Sequence, residues 1–118
     1  MARTTYPAVI RPRIAVRADL LIGPGKIDLL QAIEREGSIS GAARACGMSY
    51  KRAWSLLDEL NQAVGRPVLV GIIGGRGGGG ATLTPSGRAL VEHYLALERD
   101  CADAAAAHLK ILRRLFRR

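Results

Sequence analysis

Large aromatic side chains are scarce in this chain. Trp54, Tyr6, Tyr50, Tyr94 and Phe116 are the whole supply among 118 residues, so leucine, isoleucine, valine and alanine must fill any core. Cysteine is rarer still. Cys46 and Cys101 lie far apart without metal-ligand spacing around them. That excludes a disulfide framework and argues against a zinc or other metal site, leaving two ordinary reduced thiols of the kind cytoplasmic proteins carry. No stretch approaches ~20 consecutive apolar residues, so no membrane span is expected. Residues 1–13 are basic but lack the apolar run of a signal peptide. Acidic side chains are in the minority too: 10 Asp and Glu against 18 Lys and Arg leave a net charge of +8. Such a balance suggests a polyanionic partner, nucleic acid first and an anionic membrane surface second. The length suits one domain able to bury a core without staples.

Residues 1–12 contain Pro7 and Pro12 and read as an arm. Partial alternation from Arg13 to Ile22 predicts a strand, and Gly23-Pro24-Gly25 a turn. Ile27, Leu30 and Ile33, with Leu29 beside them, then fall on one helical face that Gly37 closes. A short alanine-rich helix follows over Gly41–Cys46, with Ser38 or Ser40 as its cap and Ser40 the preferred choice. Gly47 ends it. Ser49 caps a longer helix, in which Tyr50, Ala53, Trp54, Leu57, Leu60 and Val64 recur at helical spacing until Gly65 and Pro67 stop it. Val68–Ile73 reads as a strand, Gly74–Gly80 as a glycine-rich tip and Ala81–Leu83 as a returning strand. Thr84-Pro85 is a strong helix start, and the helical stripe runs on past Cys101 into the alanines at 104–107.

Helix, short helix, glycine-bearing turn, longer helix and hairpin, in that order, make a winged helix-turn-helix. The fold class is therefore mainly α with a small β-hairpin and a long C-terminal helix: residues 13–107 form the domain and 108–118 a basic tail. Alanines let the short helix approach its neighbour closely, and Gly47 permits the left-handed backbone of a sharp turn. In such motifs the start of the second helix meets base edges in the major groove, and its free amides suit a phosphate. Here that start reads Ser49, Tyr50, Lys51, Arg52, with Ser55 a turn later. Trp54 and Leu57 are expected to face inward. The glycine tip lacks the Lys-Ser/Thr ending of a P-loop, so Arg76 is expected on the DNA backbone rather than on a nucleotide, with a disordered loop that makes no contacts left open beside it. Ser40 and Arg44 on the short helix complete the candidate DNA-binding set, with Arg44 placed either on a phosphate or in solvent. His93 and His108 have no partner pattern, and no serine sits in a nucleophile–base context; no enzyme, cofactor or metal is expected.

Two segments together carry a family resemblance. Gly37 to Asn61, with its Ser-Tyr-Lys and Ala-Trp, resembles the helix-turn-helix of the molybdate-dependent ModE-type transcription regulators. Gly74 to Gly87 resembles their wing and the start of the following helix. LysR-type regulators share a similar helix-turn-helix. The resemblance, which covers about residues 14–107, implies a homodimer, a palindromic operator in double-stranded DNA and a dimer contact along the helix from Pro85 to Ala107. It also implies that Ser49, Tyr50, Lys51, Arg52 and Ser55 read the groove while Arg76 holds the backbone. Full-length members carry a C-terminal oxyanion-binding region, and no molybdate site is evident in these 118 residues; the expectation is a stand-alone DNA-binding domain.

For the tail from Arg99 to Arg118, extension of the dimer helix, a grip on phosphates, contact with an anionic membrane and a frayed solvated end all stay open. For the whole chain, a non-specific architectural DNA binder and a winged-helix protein-interaction module stand beside the sequence-specific regulator. Arg76→Ala is expected to weaken binding about equally on all duplexes and to reduce the salt slope by about one unit. Titration of operator and random duplex over a range of salt tests this; unchanged binding would take the wing off the DNA.

Overall fold

The computed structural model of the protein describes residues 10–72 and 79–116. Its elements are β1 (Ile14–Arg17), β2 (Leu20–Ile22), α1 (Pro24–Glu36), α2 (Ile39–Ala45), α3 (Tyr50–Val64), β3 (Leu69–Ile72), β4 (Gly80–Leu83) and α4 (Pro85–Leu115). This is the mainly helical winged helix-turn-helix that the sequence predicts, with two corrections at its start. The single strand expected over Arg13–Ile22 is a hairpin: β1 pairs antiparallel with β2 around Ala18 and Asp19, with Arg17 Nε donating to Asp19 Oδ1 at 3.1 Å across the turn. The run Arg17-Ala18-Asp19 breaks the apolar alternation, and there the chain reverses. The turn expected at Gly23–Gly25 is instead the first turn of α1, because Pro24 can occupy a first helical position without losing a needed donor.

The core is built from Ile27, Leu29, Leu30 and Ile33 of α1, Ala42 and Ala43 of α2, Ala53, Leu57 and Leu60 of α3, and Val68, Ala81, Leu83, Val91 and Tyr94. Its middle is aliphatic, as the shortage of aromatics requires. The two alanines of α2 bring that short helix against α1 and α3. Gly47, at φ 69°, turns the chain from α2 into α3: its N–H donates to Arg44 O at 3.1 Å, and the next N–H, from Met48, to Ala43 O at 2.9 Å. A residue with a side chain is strained in that conformation.

Five backbone and side-chain bonds hold the wing and the helices together. Val68 N–H donates to Asn61 Oδ1 of α3 at 2.8 Å, and Thr84 N–H donates to Val68 O at 3.0 Å. The Thr84 hydroxyl donates to Pro67 O at 2.7 Å and accepts from Gly87 N–H at 3.1 Å, capping α4. Ala81 N–H donates to Gly37 O at 2.8 Å, tying β4 to the end of α1. The inner end of the N-terminal segment docks as well. Arg11 Nη2 donates to Asp28 Oδ1 at 2.6 Å, Arg11 Nε lies 3.6 Å from Glu98 Oε2, and Tyr94 OH donates to Pro12 O at 2.6 Å.

α4 has 31 residues, which at the usual rise makes it about 46 Å long. Only its first half packs on the core. The tail predicted from residue 108 continues the same helix to Leu115, so the boundary expected at 107 is not a structural break.

Gly87 is the tightest point of the fold. A Cβ there would lie 2.1 Å from the carbonyl oxygen of Val68, which is backbone and cannot swing aside. Gly87→Ala is expected to destabilise the protein by about 3 kcal/mol, the upper end of overpacking costs. Denaturant unfolding measures it; a loss below about 1 kcal/mol would mean the two segments can separate freely.

Candidate nucleic-acid interface

α3 stands on the core by a narrow seam. Ala53, Leu57 and Leu60, spaced four and three apart, are its buried residues. Leu56 packs beside them, half-buried, while Tyr50, Lys51, Arg52 and Ser55 are all exposed. Ser49 caps the helix, its hydroxyl accepting from Arg52 N–H at 3.0 Å, which fixes the first turn from which these side chains project. Trp54 departs from its expected place. It is 52% exposed rather than packed inward. The buried seam is formed by Ala53, Leu57 and Leu60, and Trp54, about 100° round the helix from Ala53, lies outside it.

On α2 the cap is Ser38, not Ser40. Ser38 Oγ accepts from Gly41 N–H at 2.9 Å, and the helix begins two residues earlier than its alanine run suggests. Ser40 is thereby left exposed in the first turn. Arg44, four residues on, is exposed on the same face. Arg76 lies outside the described residues. The structure thus groups Ser49, Tyr50, Lys51, Arg52 and Ser55 on one half of α3 and sets Ser40 and Arg44 on the neighbouring helix.

The charge around α3 is uneven. No acidic residue occurs between Glu36 and Asp58. Lys26 lies 3.7 Å from Glu59, Arg88 the same distance from Glu34, and Arg35 3.4 Å from Glu36. Among the described residues Arg44, Lys51 and Arg52 make no ion pair. Cys46, beside the turn, is half-buried, and burial pushes its thiol above the usual range, away from the reactive thiolate.

A family model described as the bacterial regulatory helix-turn-helix protein, lysR family, matches residues 25–88, from the start of α1 to the first turn of α4. The chain belongs to this family. Within it, the resemblance to ModE-type proteins is strong. The chain is 51% identical over 79 residues to the molybdenum transport protein ModE of Azotobacter vinelandii, covering 67% of this chain and 29% of that protein. It is 42% identical over 96 residues to the molybdenum-pterin-binding protein MopB of Rhodobacter capsulatus, covering 81% and 36%. It is 40% identical over 81 residues to the DNA-binding transcriptional dual regulator ModE of Escherichia coli, covering 69% and 31%. The chain therefore spans about a third of the length of these relatives.

Among solved structures, the full-length regulator LysG of Corynebacterium glutamicum with bound arginine is similar with a TM-score of 0.57 and 25% identity, over 77% of this chain and 29% of that one. The DNA-binding domain of CbnR, solved with DNA, shares the fold at a TM-score of 0.54 and 21% identity, over 70% of this chain and 93% of that one. The Escherichia coli relative is named a DNA-binding transcriptional regulator. No helix among the described residues is long and apolar enough to cross a membrane.

The observed caps lead to a stability test. Ser49→Ala and Ser38→Ala are each expected to cost about 1 kcal/mol, the usual loss of an N-cap. Ser40→Ala should stay within about 0.5 kcal/mol, as surface changes do. Denaturant midpoints compare the three, and a larger loss at Ser40 than at Ser38 would return the cap to Ser40.

Proposed function

We propose that this chain is a sequence-specific DNA-binding transcription regulator that binds a palindromic site as a homodimer. The start of α3 enters the major groove and the glycine-rich wing follows the backbone. The observation that carries this reading is the acid-free first half of α3, where Lys51 and Arg52 are exposed and make no ion pair among the described residues, on a helix held to the core by Ala53, Leu57 and Leu60. Tyr50, Ser55 and the Ser49 end of the helix complete the reading surface. Arg44, Ser40 and Arg76 serve as flanking contacts to phosphate. The DNA-binding name of the Escherichia coli relative agrees with it.

Support for the homodimer comes from α4. Its outer half exposes Ile111 at 52%, Leu112 at 46%, Leu115 at 71% and Phe116 at 80%. Apolar side chains at that density on one helix suit a second copy of the same helix. A two-fold dimer presents two α3 helices to successive turns of one duplex face, so its operator is a palindrome.

Selection of bound duplexes from a random-sequence pool at two salt concentrations tests the proposal. An enriched palindrome supports it. Salt-sensitive retention without enrichment would make the chain an architectural binder, and no retention would make it a protein-interaction module. With the operator in hand, Arg52→Ala is expected to lose about 1–3 kcal/mol on it, the worth of a base-edge contact, and less on random duplex. Equal losses on both would make Arg52 a phosphate contact alone.

A further inference from the structure

Trp54 is the sole tryptophan of the chain, and it stands 52% exposed on α3, with Tyr50, 54% exposed, one turn before it. We infer that this aromatic pair reads thymine methyl groups in the major groove, an inference that rests on the DNA-binding reading above. A spacing of four puts the two rings on one face of the helix. Large apolar side chains left in water need a reason when they adjoin each other, and a contiguous exposed patch is the usual mark of a contact surface. The polar readers on the same helix can find hydrogen-bonding partners on guanine, adenine or cytosine. The apolar feature that the major groove offers is the C5 methyl of thymine.

The order of side chains around α3 makes the assignment specific. At about 100° per residue, the exposed arc runs Tyr50, Trp54, Lys51, Ser55, Arg52. The aromatics form one edge of the arc and Arg52 the other. Asn61, two turns beyond Trp54 on the same edge, accepts from Val68 N–H at the root of the wing. The opposite edge carries Glu59, which lies 3.7 Å from Lys26 near the β1–β2 hairpin. The aromatic edge is thus the wing side of the groove and the Arg52 edge the hairpin side. A half-site read this way holds thymine on the wing side and a hydrogen-bonded base on the other.

The experiment takes the selected operator and replaces each thymine in turn by deoxyuridine, which removes the methyl alone. Wild type is expected to lose about fourfold in affinity at one or two wing-side positions of each half-site, the effect of unburying one methyl group. Trp54→Ala should bind the thymine operator about that much more weakly and be indifferent to uracil, while Trp54→Phe stays sensitive. Because Trp54 is exposed, these variants are expected to keep their unfolding midpoint. Intrinsic fluorescence gives a second readout. Acrylamide should quench Trp54 readily in the free protein and poorly once operator is bound. Operator binding that ignores the methyl, or a Trp54→Ala variant as uracil-sensitive as wild type, would overturn the inference alone. Trp54 shielded from acrylamide in the free protein would overturn it as well. Wild type that retains no duplex would bring down the DNA-binding reading together with it.

Discussion

The peptide groups around Val68 are where three functional parts of the molecule meet. The N–H of Val68 is held by the Asn61 side chain from α3, its carbonyl oxygen accepts from Thr84 at the cap of α4, and its side chain is fully buried. Gly87 lies against the same carbonyl so closely that no Cβ fits. One short segment therefore sets the angle of α3, the root of the wing and the departure of the long helix together. A buried carbonyl or amide left without its partner costs about 1–3 kcal/mol, so the three parts cannot drift independently at small cost. On the proposed reading, in which α3 and the wing meet one duplex at a fixed spacing, that coupling matters more than any single contact.

The second constraint is the smallness of α2. Ala42 and Ala43 are buried and let α2 sit tightly between its neighbours, but they offer α3 little surface. The seam of α3 shrinks to Ala53, Leu57 and Leu60, and most of its circumference is left open. Aliphatic side chains of α1 supply the volume that α2 and the missing aromatics do not. The core thus leans on Ile27, Leu29, Leu30 and Ile33, each almost completely buried.

Much of this was legible from the residues. Gly37, Gly47 and Gly65 mark three real left-handed turns, and Thr84-Pro85 marks the true start of α4. The glycine and alanine spacing of the helix-turn-helix needs only local rules, and the fold class followed from it. What failed were features decided by tertiary partners. Ser38 and Ser40 are equivalent in capping chemistry, and only the place where α2 meets α1 selects Ser38. Trp54 fits a helical apolar stripe on spacing, but whether a stripe is one or two residues wide depends on what faces it. The β1–β2 hairpin turns at Ala18 and Asp19 without the Asn-Gly or Asp-Gly pair that usually announces such a reversal. For the candidate site, the exposed set at the start of α3, Tyr50 included, was readable from the motif, while the outward position of Trp54 was not.

Where the charge lies decides what the excess of cations can do. Arg11 lies between Asp28 and Glu98, Lys26 faces Glu59, and Arg88 faces Glu34. These pairs are mostly solvent-exposed, and such pairs contribute at most about 1 kcal/mol each to stability. Their larger effect is to cancel field over α1 and the first half of α4. At the helix-turn-helix no acidic side chain intervenes between Glu36 and Asp58, and among the described residues Arg44, Lys51 and Arg52 make no ion pair. The exposed amides at the start of α3 add to it. A net +8 spread evenly would attract any polyanion weakly from all sides. With the scaffold pairs cancelled, unpaired charge stays at the helix-turn-helix and along the basic end of α4, where Lys110, Arg113 and Arg114 make no ion pair among the described residues; on the DNA-binding reading proposed above, the first of these orients a duplex toward the start of α3.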